Sequence, residues 1–78
     1  MKSINIKLST IEEIHKFVDI VTKYPVNLDL KSGRYTVNAH SFMGIVSLDL
    51  MKPVEFIIDS DDDAVINAVL ADVKTWTV

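Results

Sequence analysis

The sequence predicts an α+β domain of order βαββαβα, with four short strands in one sheet and helices on one face of it. Three observations carry this prediction. Apolar and polar residues alternate with a period of two in three separate stretches, and a fourth stretch is a short continuous apolar run. Two other stretches repeat apolar residues at three- and four-residue steps. A glycine-containing turn joins the second and third alternating runs into a hairpin.

Ile4, Ile6 and Leu8 alternate with Asn5 and Lys7, which reads as a half-buried strand. Ser9, followed three residues later by Glu12, fits a capping box, and the first helix is expected from there. Its stripe is Ile11, Ile14, Val18 and Val21, widened by Phe17, Ile20 and Tyr24, while Glu12, Glu13, Lys16, Asp19 and Lys23 take the other face. About four turns are expected, ending before Pro25, which disfavours helical geometry at Tyr24. Val26, Leu28 and Leu30 form the second strand, and Tyr35, Val37 and Ala39 the third. Between them Lys31-Ser32-Gly33-Arg34 supplies a turn with glycine available for positive φ.

Ser41 can cap a short helix over Phe42–Ser47, which Gly44 limits to one or two turns. Val54–Asp59 is the most continuous apolar run and is expected as an inner strand. Ser60 or Asp61 is expected to cap the last helix, whose stripe is Val65, Ile66, Val69, Leu70 and Val73, with Asp61–Asp63 in the first turn, where the dipole favours negative charge. A ferredoxin-like split βαβ arrangement competes for this order of elements, and the brevity of the middle helix tells against it.

The 78 residues make one domain, with 49% hydrophobic residues available for a core. A domain of this size buries only roughly 60% of its unfolded surface, so compactness matters. There is no cysteine, which removes disulfides and thiolate metal or iron–sulfur sites, and no cofactor is expected. A net charge of −3 with scattered lysines argues against a nucleic-acid partner. No apolar run reaches the roughly 18 residues of a membrane span, and Met1–Lys7 alternates without a continuous signal-peptide core. The expected compartment is the cytoplasm.

The stretch from Tyr35 to Leu50, and above all Ser41, Met43 and Gly44 within His40-Ser41-Phe42-Met43-Gly44, resembles the central segment of the histidine-containing phosphocarrier protein (HPr) family, where a Lys-Ser-Ile-Met-Gly type motif leads into a small helix. His40 stands where lysine is common and Phe42 where isoleucine is common. Leu30–Arg34 resembles the family's hairpin turn and Lys52-Pro53-Val54 its exit, and length and element order agree over the whole chain. The resemblance implies an open-faced sandwich with a four-stranded antiparallel sheet covered by three helices. It also implies a bacterial sugar phosphotransferase context, in which HPr carries a phosphoryl group on a histidine at the start of the first helix, within a Gly-x-His-Ala-Arg-Pro type motif. Helix N-terminal amides and the arginine stabilise that phosphohistidine.

This chain departs at that motif. Counting back without a gap from Ser41 puts Thr10 in the histidine slot and Glu12 in the arginine slot, in the run Leu8-Ser9-Thr10-Ile11-Glu12-Glu13. Carboxylates there would repel a phosphoryl group, so no catalytic residue is assigned. Ser41 is a helix N-cap and, by resemblance, a candidate regulatory phosphoserine. By the same resemblance Phe42, Met43 and Val46, with Thr10 and His40, are the candidate partner-binding residues. His15 reads as a surface or boundary histidine and His40 as an exposed strand end. A phosphocarrier using His40 or His15 is the alternative function.

The acidic run Asp59–Asp63 does not fit a calcium loop, because its sixth and twelfth positions are Ala64 and Leu70, and no metal ligand is assigned. Trp76 is read as a cover over the core. The resulting expectation is a non-enzymatic, HPr-like regulatory or interaction domain that binds a protein of the phosphotransferase system or its regulation, with the oligomeric state open.

Overall fold

The computed structural model describes residues 1–78. The elements are β1 (Lys2–Ile6), α1 (Ile11–Val21), β2 (Asn27–Ser32), β3 (Tyr35–Asn38), α2 (Phe42–Val46), β4 (Val54–Asp59) and α3 (Asp63–Asp72), closed by a 3₁₀ turn over Lys74–Trp76. The sheet order is β1-β4-β2-β3 and every pairing is antiparallel. β4 is thus an inner strand, as its apolar run implies.

Register follows burial. Ile6 faces Val54 and Ile4 faces Phe56 across β1 and β4, while Leu28 faces Ile58 and Leu30 faces Phe56 across β2 and β4. Val54, Phe56, Ile58, Leu28, Leu30 and Ile6 all lie on the covered face and are buried, whereas Glu55 and Ile57 alternate onto the open one. A one-residue slip would expose this whole set.

The sixteen buried residues are all apolar. Phe17 of α1 meets Phe56 edge-on with ring centroids 5.2 Å apart and Trp76 at 5.8 Å. Burying each such side chain is worth about 2–3 kcal/mol. Trp76 is therefore core, matching the reading from sequence, and its turn ties the chain end to the sheet. The Lys7 N–H donates to the Trp76 carbonyl at 2.8 Å, and the Val78 N–H to the Asn5 carbonyl at 3.1 Å. Thr77 bridges Ile6, so the outer edge of β1 is partly covered. β3, only four residues long, forms the other edge.

The hairpin between β2 and β3 closes at Ser32 opposite Tyr35, with Gly33 at φ 58°. Positive φ at this first of the two turn positions is the requirement of a II′-type turn, and glycine meets it without strain.

Several boundaries differ from expectation: β1 and β2 are displaced by one or two residues, and β3 and α2 each stop one residue short. α1 starts one residue later than the Ser9 cap predicts: Thr10 is the N-cap, in extended backbone, and Glu13 rather than Glu12 completes the box. The sequence Ser9-Thr10-Ile11-Glu12-Glu13 holds two overlapping boxes, and Glu12 instead lies outside, 3.4 Å from Lys16 one turn along. α1 also ends early, at Val21, where the Thr22 hydroxyl turns back onto the Val18 carbonyl at 2.7 Å. Lys23 and Tyr24 follow with tighter turn bonds to Ile20 and Val21 rather than a fourth helical turn. Finally, Asp62 caps α3, accepting the Ala64 N–H at 2.9 Å, while Ser60 only supports it by accepting the Asp62 N–H. Asp63 alone remains in the first turn of α3. No helix is long and apolar enough to cross a membrane.

Candidate functional site

The site is built where α1 and α2 lie side by side over the sheet. At the mouth of α1 the Thr10 hydroxyl accepts the Glu13 N–H at 3.1 Å. One carboxylate oxygen of Glu13, Oε1, accepts from the backbone N–H of Ser9 at 2.9 Å and of Thr10 at 3.1 Å. These donors hold the Glu13 carboxyl below the usual carboxylate range. The Ser9 N–H acts most strongly and loss of hydration opposes it; the Thr10 N–H, the Trp76 indole and the Thr10 hydroxyl add to the lowering. An anion therefore already sits in this mouth, and it belongs to the protein.

Two lysines lie near this mouth, and Lys7 Nζ reaches the Ser9 hydroxyl at 3.5 Å. Lys7 Nζ donates to the Leu50 carbonyl at 3.0 Å, and Lys16 pairs with Glu12. The only arginine in the sequence, Arg34, lies in the β2–β3 turn.

At the start of α2 the Ser41 hydroxyl accepts the Gly44 N–H at 3.2 Å, so Ser41 is the N-cap that the sequence predicts. Gly44 is fixed by space rather than by φ: a Cβ there would lie 3.1 Å from Ser41 Oγ and 3.2 Å from Val37 Cβ. The missing side chain lets α2 settle against β3 with its capping serine in place.

The two histidines lie apart from the mouth of α1. His15 stacks on Phe42, ring centroids 4.2 Å apart and planes 15° from parallel, so it bridges α1 to α2 on the outside. His40 is exposed, and its Nε2 lies 3.2 Å from the Val21 carbonyl, at the C-terminal end of α1. Thr10 and His40 thus sit at opposite ends of α1, roughly 16 Å apart at 1.5 Å per residue. Of the residues singled out from sequence, Phe42, Met43 and Val46 cluster together with His15. Thr10 lies at one end of that cluster and His40 at the other.

Met43 is 75% exposed and Val46 also reaches solvent. Ile11, 54% exposed, extends the same apolar surface along α1, because it stands one turn before His15. The acidic run elsewhere in the chain gathers no metal-ligand group; Asp61 lies 3.6 Å from the Met1 amine and Asp62 is engaged as a cap.

No family model matches the chain, and no curated protein does. Solved structures do match. HPr-C-His from Thermoanaerobacter tengcongensis superposes with a TM-score of 0.75 at 23% identity, covering 96% of this chain and 93% of that one. The phosphocarrier protein HPr from Bacillus anthracis gives 0.70 at 24% identity, covering 92% and 93%. The histidine-containing phosphocarrier protein of a Mycoplasma gives 0.64 at 15% identity, covering 91% and 88%. The chain has an HPr-like fold. The antiparallel order β1-β4-β2-β3 under three helices is that open-faced sandwich, as the motif around Ser41 implies.

On this HPr-like frame, sequence reasoning missed Glu13, Ile11 and the His40–Val21 contact. Glu13 was legible, since it stands three residues after a threonine. Ile11 belongs to an apolar stripe by spacing, and only the short reach of α2 leaves it uncovered. Nothing local in the sequence signals that His40 meets a helix end nineteen residues earlier.

Proposed function

We propose that this chain is a single, non-catalytic HPr-like domain acting in the cytoplasm, which docks onto another protein of a phosphotransferase or regulatory system and does not carry a phosphoryl group. The carrying observation is the Glu13 carboxylate bound to the Ser9 and Thr10 amides at the mouth of α1. A phosphoryl group arriving there would have to displace a charge-assisted set of hydrogen bonds and then face Glu12 as well. Neither histidine offers a replacement. His40 lies by the carbonyl end of α1, where the helix dipole disfavours added negative charge, and His15 stacks on the outer side of the helix pair.

Docking would use Ile11, His15, Phe42, Met43 and Val46. Met and Phe are adaptable anchors for a partner surface, and such residues carry most of the energy of a contact when they fill its centre. Ser41 is the proposed regulatory position beside this surface. A phosphoryl group on its hydroxyl would meet the free N-terminal end of α2, whose first turn contains no acidic residue.

Incubation with phosphoenolpyruvate and the first enzyme of the phosphotransferase system tests the reading. No acid-labile phosphate is expected, and its appearance on His40 or His15 would overturn it. A serine-kinase assay against Ser41→Ala tests the regulatory part: phosphate that does not depend on Ser41 removes it.

A further inference from the structure

The outward ridge of α1 carries Glu12, Lys16 and Asp19 at four- and three-residue steps, which is the spacing of one helix face, and Lys23 follows in the turn just after the helix. All four are exposed, on the side opposite buried Ile14, Phe17 and Val21. Of these four, Glu12 and Lys16 form an ion pair within the chain, and Asp19 and Lys23 have none. The order of signs is minus, plus, minus, plus. Turned end for end, this ridge matches itself: Glu12 meets Lys23, and Lys16 meets Asp19. Beside it lies the exposed apolar surface of Ile11, Met43 and Val46.

From this self-complementarity we infer that the α1–α2 face associates with a second copy of this chain through a two-fold axis crossing α1 near its middle. The two copies of α1 run antiparallel, and each dimer contains two Lys16–Asp19 pairs near the axis and two Glu12–Lys23 pairs further out. The axis brings α2 of both copies to the same side. Two-fold contacts of this kind require one patch to fit itself, and the ridge does. The apolar residues supply burial and the charges favour this register, which makes more opposite-charge pairs than any other antiparallel one; a shift by one charge puts Lys16 against Lys23 and Asp19 against its own copy. The contact is small, so the dimer is weak and salt-sensitive. It shares Ile11, Met43 and Val46 with the docking surface proposed above, so self-association and partner docking exclude one another. The inference does not depend on that docking.

Sedimentation equilibrium over two decades of concentration, up to about millimolar, tests it. The expected result is a mass that rises with concentration and falls back as salt is added. Asp19→Lys should weaken association about tenfold or more, by placing two lysines opposite each other twice in the dimer. Adding Lys16→Asp to that variant restores opposite signs across the axis and should recover association to within about threefold. A parent chain that stays monomeric throughout overturns the inference, as does a dimer indifferent to Asp19→Lys or a double variant as weak as the single one. Circular dichroism of each variant guards against loss of the fold. The salt dependence of the parent needs no variant at all. A monomeric result leaves the phosphoryl-transfer and serine-kinase assays free to decide the docking reading separately.

Discussion

The mouths of α1 and α2 are both capped by a hydroxyl residue, yet they differ in what else they hold. At α1 the Thr10 hydroxyl and the Glu13 carboxylate satisfy backbone donors reciprocally, so the chain's own anion stands at the mouth. At α2 the Ser41 hydroxyl acts alone, and no acidic residue stands in the first turn. The first arrangement favours stability and excludes anions. The second leaves the positive end of a short helix open. The difference shows that a capping residue by itself says little about function; the residue three positions on decides whether the mouth is filled.

Substitutions can break or sharpen this contrast. Thr10→Ala removes the hydroxyl half of a two-way box and should cost about 1–2 kcal/mol in thermal or denaturant unfolding. Gly44→Ala adds a methyl against Ser41 and Val37, one on the cap and one on a fixed strand; the overpacking outweighs the gain in helix propensity, for a loss of about 1 kcal/mol by the same measurement. Ser41→Ala, which loses one bond in a five-residue helix, should cost about 0.5–1 kcal/mol.

The sharper comparison places an aspartate at each cap. Ser41→Asp should gain a few tenths of a kcal/mol from the unopposed helix end, whereas Thr10→Asp should lose a few tenths because Glu12 and Glu13 stand beside it. Equal effects at the two sites would erase the distinction. The smallest effect is in the pH profile. Glu13 has a lowered folded pKa, so its contribution is complete above the ordinary glutamate value of 4.5 and fades as the pH falls through the folded value. The stability of the parent should therefore fall more steeply below about pH 4.5 than that of Glu13→Gln, as read by denaturant midpoints.

Much of the fold was legible because burial and period agree. Ile4, Ile6, Leu28 and Leu30 alternate in sequence and alternate in the sheet, and Ile14, Phe17 and Val21 are the buried stripe of α1. Tyr35 keeps the alternation of β3 but is 74% exposed, since an edge strand reaches past the cover of the helices. Helix starts were less legible. Ser9, Thr10, Ser60, Asp61 and Asp62 are all good caps by chemistry, and only the backbone path chooses among them. In the site, Ser41 as cap followed from local pattern, whereas Met43 and Val46 were singled out by the family resemblance and their exposure was not legible in the sequence. The His15–Phe42 stack, the separation of His40 from Thr10 and the anchoring of Lys7 on Leu50 depend on how α2 lies across α1, which no local pattern records.

The inner position of β4 has a consequence for how the chain reaches this structure. β1 and β2 do not touch each other as neighbours; each pairs with β4, whose residues come more than twenty positions after β2 and nearly fifty after β1. A nascent chain on the ribosome can form α1 and the β2–β3 hairpin early, but the sheet has no centre until residue 59 has emerged. Long-range closure of this kind slows folding and leaves Ile6, Leu28 and Leu30 uncovered while synthesis continues. The last third of the sequence, which begins with β4, thus governs when the first two thirds become protected from aggregation.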